Sequence, residues 1–574
     1  MRSFDWLVLG ITLATIILYG IYKGKGNRNI RGYFLADKSL KWYTIALSIM
    51  ATQASAVTFT STPGQAYVDG MRFVQFYFGL PIAMVILSVT AVPIFHRLNV
   101  FTAYEYLEYR FDLKTRTLTS FIFLIQRGLA VGITIYAPSL VLSVMLGMDI
   151  RITSVVIGGV VILYTTWGGV KSVNHSQFQQ MLIITFGMIA AFCATIYLLP
   201  AGISFSDALH VAGGMGKLNL VDFSFDFENR YNIWSGIFGG MFVALAYFGC
   251  DQSQVQRYLT GESVKQSRLA LLFNGVAKVP MQFFILLLGA MVFVFYQFST
   301  PPLFFNPVET AKIESSARSG EYANLKKVYG NLFETKSKIL EEYLRSEKAG
   351  NTTEVREARR QLTIVEKEVE NVRSRAKKIM NENDPAFDPN DTNYIFLTFV
   401  MHYLPVGLVG LIFACIFAAS MSSSSGELSA LSTSSVIDVY KRHFKTDGSE
   451  QHYLNVSRVS MALWGIYGIV FAQYASRLGS LVEAVNILGS LFYGTLLGVF
   501  LLAFYCKWIG GTATFIAAFV GEAVVLCCFA FTQIAWLWYN VIGCGVLVLV
   551  AILINPFFKS PATVGKSAPV PTPS

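Results

Sequence analysis

The chain has 574 residues, of which 54% are hydrophobic and only 14% charged, with a mean hydropathy of +0.51. A water-soluble chain of this length carries roughly 25% charged residues, so that class is excluded. The net charge of +10 could suit a nucleic acid, but its basic residues are spread over loops between apolar runs and form no patch.

A spanning helix needs roughly 20 predominantly apolar residues. In chain order that criterion predicts about thirteen, beginning near Phe4, Leu40, Val74, Leu118, Thr153, Phe178, Ile233, Leu269, Tyr394, Val459, Leu478, Thr512 and Ala535. The first lacks a strong basic leader and a clear small-residue cleavage site, and reads as a helix instead of a signal peptide. The second, over residues 40–68, is unlike the others. Its middle is Ala-Thr-Gln-Ala-Ser-Ala, and it continues through Pro63 and Gly64. Hydrocarbon offers no partner to a loosened carbonyl. Such a segment is expected to be a broken helix lining a mid-membrane ion or solute site. Basic residues recur in alternate loops, among them Lys23, Lys25, Arg28, Arg97, Arg116, Lys171, Arg257, Arg268, Lys441 and Lys559; Arg72, Arg151 and Arg477 are exceptions. This positive-inside pattern predicts an outer N-terminus and a cytoplasmic C-terminus, as an odd span count requires.

The seven cysteines lie mostly in apolar spans without metal-ligand or disulfide spacing and read as packing residues. Residues 298–393 are a charged insertion. Within it Val355, Ala358, Leu362, Val365, Val369, Val372, Ala376 and Ile379 form a heptad seam. A rougher pattern precedes it, with a turn expected at 348–352, so an extracytoplasmic helical hairpin is predicted, a solvated spacer or a docking arm for a protein partner. The Pro/Ser-rich tail, 557–574, is expected to be disordered and cytoplasmic. Ser420, Ser422, Ser423, Ser424 and Ser425 crowd an otherwise apolar segment. Membrane helices use serine for packing, but a cluster of this size opposite a broken helix reads as hydroxyl ligands. Arg127, Asp251, Lys278, Glu427 and Glu483 fall in or beside spans, where ionisable groups are costly and mark function. Internal pairing, with Glu427 or Glu483 as the anion, is the structural alternative. No metal spacing, nucleophile elbow or phosphate loop supports an enzyme.

The stretches GYFLADKSLKWYTIALSIMATQASAVTF, PIFHRLNVFTAYEYLEYRF, IYAPSLVLSVMLG, YTTWGGVKSV, AYFGCDQSQVQRYL and AASMSSSSGELSALSTSSVIDVYKR occur in order. Together they resemble the sodium:solute symporter family, closest in phrasing to its iodide, multivitamin and monocarboxylate branch. Val170 after Gly168-Gly169 is a small departure. The resemblance implies an all-α membrane protein, multi-pass in the cell membrane, with a LeuT-like inverted repeat of five helices plus five. Residues 1–39 would be an extra helix and basic loop, 40–199 the first repeat, and 200–232 a loop. The second repeat would be 233–297 and 394–505, and 506–556 two further helices. A second helix break is expected at Gly249 and Asp251.

It further implies a sodium site from the carbonyls of Ala51, Ala54 and Ala419 and the hydroxyls of Ser422 and Ser423. A second sodium site of some members needs an Asp where this chain has Gln177 and a hydroxyl where it has Gly426, so one Na+ per cycle is expected. Tyr247 matches an inner-gate tyrosine. Gln53, Thr58, Gln75, Phe76 and Tyr77 fall at solute contacts of the sugar carriers, although Tyr77 and Ala244 replace polar sugar ligands. Lys278 matches a sugar-contacting lysine, and Arg127 lies about one turn from a carboxylate-binding Arg of the sialate carriers. The expected function is sodium-coupled import of a small organic solute, an organic anion such as a monocarboxylate or sialate being favoured. The alternatives are a hexose or myo-inositol symporter, and a membrane sensor or scaffold acting through the hairpin.

Overall fold

The computed structural model describes residues 1–24, 30–385, 387–475 and 479–558. Lys25, Arg28, Arg477, the span start at Leu478, and Lys559 with the rest of the tail lie outside them, as do the side chains of Lys23, Val170 and Lys171. Every regular element among the described residues is helical. The first half comprises α1 (Ser3–Gly24), α2 (Ile30–Leu35), α3 (Trp42–Gln53), α4 (Ala56–Asp69), α5 (Leu80–Val89), α6 (Ala91–Leu98), α7 (Ala103–Arg110), α8 (Leu113–Leu146), α9 (Ile150–Tyr197) and α10 (Phe205–Gly214). There follow α11 (Gly240–Gly249), α12 (Gln252–Leu259), α13 (Val264–Phe298), α14 (Pro307–Glu314), α15 (Ser319–Lys348), α16 (Thr352–Asn383), α17 (Thr392–Tyr403) and α18 (Leu408–Ser434). The chain closes with α19 (Lys441–His443), α20 (Glu450–Ala472), α21 (Leu481–Tyr505), α22 (Gly511–Phe531) and α23 (Leu537–Ile554).

Among the described residues, nine helices are long and apolar enough to cross a membrane, fewer than the thirteen expected spans. Two causes account for most of the difference. Helix breaks leave short pieces such as α3 and α11, and the spans expected from Thr153 and Phe178 fall in one 48-residue helix, α9. No proline interrupts that stretch, and a glycine costs a helix only about 1 kcal/mol.

The predicted break lies at Ala54-Ser55. The α3 ladder ends with Ala54 N–H donating to the Met50 carbonyl (2.8 Å) and resumes as Thr58 N–H donates to that of Ser55 (2.9 Å). Between them, Ala54 (ψ 65°) and Ser55 (ψ 170°) leave helical geometry. Pro63 is not part of the break but lies inside α4. It serves a close crossing instead. A Cβ on Gly289 of α13 would stand 2.3 Å from the Pro63 carbonyl oxygen, and one on Gly64 2.0 Å from that of Thr392. The second break follows Gly249 as expected. Cys250 and Asp251 leave helical geometry, and Asp251 Oδ1 accepts the Ser253 N–H (2.8 Å) to cap α12.

In the insertion, α15 and α16 are joined by three residues and pack as an antiparallel pair. Leu362, Val365, Val372 and Ala376 of the seam are buried, and Met380 is buried where the heptad placed Ile379, which is only partly so. Arg373 pairs with Asp391 before α17 (2.7 Å), and Lys348 near the tip with Asp207 on α10 (3.0 Å).

Gly289→Ala should lower stability by about 1–3 kcal/mol through overpacking, read as an earlier thermal unfolding of the purified protein. Gly159→Ala meets open space and should hold the transition or raise it slightly.

Candidate functional site

The broken helix α3–α4 packs between α18, α8, α13 and α21, and the break opens onto a cavity of about 130 Å³. Gln53, Thr58, Phe76, Tyr77, Arg127, Tyr247, Lys278 and Glu427, all singled out from the sequence, line it. So do Gln126, Thr134, Asn486 and Tyr493, which sequence reading missed. The one signal for Tyr493 was a polar-tipped aromatic in an otherwise apolar, glycine-spaced helix.

Arg127 is the hub of the cavity. Its Nη1 donates to Glu427 Oε1 (3.0 Å) and its Nη2 to the Tyr493 hydroxyl (2.8 Å) and to Asp251 Oδ2. Tyr493 O–H donates to the same Asp251 oxygen (2.9 Å). The guanidinium lies 5.5 Å from the Tyr247 ring centroid, and Tyr247 O–H accepts from Gln254 Nε2 (2.7 Å). The expected internal pairing of Arg127 is therefore present, with Asp251 as an additional anion. Glu483 is not a partner: it pairs with Arg230 (2.8 Å) and accepts from Tyr231 O–H (2.9 Å) away from the cavity. Gln75 does not line the cavity either. It bridges the Tyr231 carbonyl (2.9 Å) and the Asp222 N–H (3.1 Å).

Lys278 differs from Arg127. It is 2% exposed, and its ammonium sits 5.7 Å from the Tyr77 ring centroid. Among the described residues no carboxylate forms an ion pair with it. Around it, Gln126 Oε1, Gln53 Oε1 and Glu427 Oε2 are buried acceptors without a hydrogen-bond partner in the described protein. A buried polar group left unmatched costs about 1–3 kcal/mol, so these acceptors call for donors.

Beside the cavity, α3 and α18 are joined through Gln177 of α9. Its Nε2 donates to the Ser422 carbonyl (2.9 Å) and to Thr52 Oγ1 (3.1 Å), and its Oε1 accepts from Ser48. Ser423 O–H turns back to the Ala419 carbonyl (3.0 Å). The hydroxyls of Ser420, Ser422 and Ser424 are buried without a partner among the described residues. Ala51 and Ala54 flank the break itself, where the helical partners of their carbonyls are lost. Gly426 faces Arg257, whose Nη2 would be 2.8 Å from a Cβ there. Arg257 was counted with the cytoplasmic loops, yet it is fully buried and donates to Asn174 Oδ1 (2.8 Å). Arg116, counted likewise, is buried against Asp438 (2.6 Å). Neither guanidinium reports on membrane orientation.

The sequence model of the sodium:solute symporter family matches residues 33–330 and 384–521. This chain belongs to that family. It is 26% identical over 535 residues to the sodium-coupled monocarboxylate transporter 1 of Xenopus laevis, covering 91% of this chain and 71% of that protein. To the sodium/sialic acid symporter SiaT of Proteus mirabilis it is 24% identical over 571 residues, covering 96% and 95%. To the human sodium/iodide cotransporter it is 31% identical over 304 residues, covering 52% and 47%. The solved substrate-bound, outward-open structure of a Na+-coupled sialic acid symporter superposes with a TM-score of 0.75 at 23% identity, over 97% of this chain and 99% of that one. The fold is therefore that of this symporter, and the family members are multi-pass membrane transporters of sodium with a small solute.

Arg127→Gln would strand Asp251 and Glu427 without their cation. It should destabilise the protein by about 3–5 kcal/mol, more than Glu427→Gln, when both are compared by thermal unfolding.

Proposed function

We propose that this protein couples entry of one sodium ion to uphill import of a small organic anion by alternating access. The observation that carries this is the unpaired ammonium of Lys278 in a cavity that the first helix break also lines. Arg127, the earlier candidate for binding a carboxylate, already has two carboxylates of its own, so Lys278 takes that role. The solute's hydroxyl or amide donors would meet Gln126 and Glu427, and Tyr247 would stand at the inner exit. The cavity is smaller than the roughly 300–1,000 Å³ of drug-sized sites, which favours a solute of few heavy atoms.

Sodium would bind at the carbonyls of Ala51, Ala54 and Ala419 and the hydroxyls of Ser422 and Ser423. Neutral oxygens suit an ion that must be released on the other side. The single-ion stoichiometry is supported by Gln177, whose amide hydrogens point where a second cation's ligands would be needed, and by the Arg257 guanidinium beside Gly426. One charge entering yields about 2.3 kcal/mol per 100 mV of membrane potential. The proposed frame is two inverted repeats, 40–199 and 233–505, the second interrupted by the hairpin of 298–393 on the outer face.

Reconstitution into liposomes with an inward sodium gradient tests this against labelled monocarboxylates, sialate, iodide, myo-inositol and hexoses. An anion should accumulate, with a Hill coefficient for sodium near one. Uptake of neutral sugars alone would move the solute to the sugar class, and no sodium-driven uptake at all would sink symport. Ser422→Ala should weaken apparent sodium affinity by about tenfold; an unchanged affinity would place the ion elsewhere.

A further inference from the structure

We propose that the hairpin builds a second solute site, for a small organic anion, beside the same two helices that carry the inner cavity. This rests on the anion reading above. A separate cavity of about 260 Å³ lies between the hairpin and the ends of α4 and α13. Tyr67 and Phe293 line it from the core, Phe333, Lys336 and Arg373 from the hairpin, and Lys217 from the loop after α10. Tyr67 lies about 14 Å along α4 from Thr58, and Phe293 about 22 Å along α13 from Lys278. Thr58 and Lys278 line the inner cavity, so one pair of helices connects the two. The family's sequence model omits residues 331–383, so the hairpin wall is an addition to the family's shared core.

Both cavities use the same recognition chemistry, an ammonium beside an aromatic face. Lys278 stands over Tyr77 (5.7 Å), Lys217 over Phe293 (4.6 Å) and Lys336 over Phe333 (5.7 Å). Two acidic groups, Glu366 and Glu370, also line the second cavity, against the three cations Lys217, Lys336 and Arg373. Glu366 pairs with Lys336 (3.3 Å), and Glu370 is exposed. Arg373 is held by Asp391 (2.7 Å). Lys217 is in no ion pair with a carboxylate among the described residues; its Nζ donates to the Val68 carbonyl. Its backbone is fixed as well, because Met71 N–H donates to the Lys217 carbonyl (2.9 Å). Gly70, at φ +75°, permits that approach, since a Cβ there would lie 2.8 Å from the same oxygen. Burial pulls the Lys217 ammonium below the usual lysine range; Glu366 and Asp69 oppose that shift and Lys336 adds to it. A bound carboxylate would offset both the lost hydration and the repulsion from Lys336. Gln297, 2% exposed, lines the cavity with an Oε1 that has no partner in the described protein, ready for a solute donor. An anion held here would be concentrated next to the path to Lys278.

Equilibrium dialysis of the full chain in detergent, with radiolabelled lactate and N-acetylneuraminate and without sodium, isolates this site from the sodium-coupled one. Binding of at least one probe should persist in Lys278→Gln and weaken about tenfold in Lys217→Gln, with Lys217→Arg restoring most of it. In liposomes Lys217→Gln should raise KM more than it lowers the maximal rate, whereas Lys278→Gln should abolish uptake. Wild-type binding in Lys217→Gln, loss of all binding in Lys278→Gln, or no binding of either probe to the wild type would each overturn the second site. Failure of the symport reading is distinct, because it appears as absent sodium-driven uptake by the wild-type protein.

Discussion

A carbonyl freed from its helix inside an apolar interior must find another partner, and this molecule is arranged around two such openings. At Ala54-Ser55 the loosened segment is met by the serines of α18, with the Gln177 amide clamping Ser422 to Thr52. At Cys250-Asp251 the Asp251 carboxylate caps α12 with one oxygen and takes Arg127 and Tyr493 with the other. Polar side chains that look misplaced on apolar helices thus gather at two interruptions. The cavity lies where those side chains converge.

The first opening was legible because its residues are small and polar within one apolar run. The serine cluster was legible for the same reason, whereas the second break at Gly249-Asp251 was expected from the resemblance to the family. Pro63 misled, since proline usually ends a helix. Here it sits within α4, and its backbone is the surface that Gly289 of α13 approaches. The Arg127 network was only half readable. Its anions lie 124 and 300 residues away in the chain, and no local pattern links such positions. Glu483 and Gln75 were misplaced because an element's end fixes which way a side chain points, and sequence fixes ends only within a few residues. Arg116 and Arg257 were read as loop charges because the hydropathy pattern does not reveal a buried partner such as Asp438 or Asn174.

Formal charges around the inner cavity give a coherent picture. Arg127 with Asp251 and Glu427 leaves one negative charge, and Lys278 supplies one positive charge, so the site is neutral overall when those groups are ionised. Burying an isolated charge in a medium of low polarity is far costlier than burying a matched pair. Sodium entering with a monoanion keeps that balance, whereas sodium with a neutral solute leaves an uncompensated charge in the closed site. That balance is in keeping with the anionic solute proposed above.

The hairpin follows a different logic. Near its base it has a small core of its own, built from residues such as Tyr322, Tyr329 and Met380, while Leu340, Tyr343, Leu344, Ala358 and Leu362 join the main core of the molecule. Its ties are thus apolar as well as polar, the latter running from Arg373 to Asp391 at the base, from the Ser337 hydroxyl to the Gln297 carbonyl, and from Lys348 to Asp207 near the tip. It places charged and aromatic side chains against α4 and α13, the two helices that also line the inner cavity. Sharing the main core holds those side chains in place against α4 and α13, as the proposed second site requires.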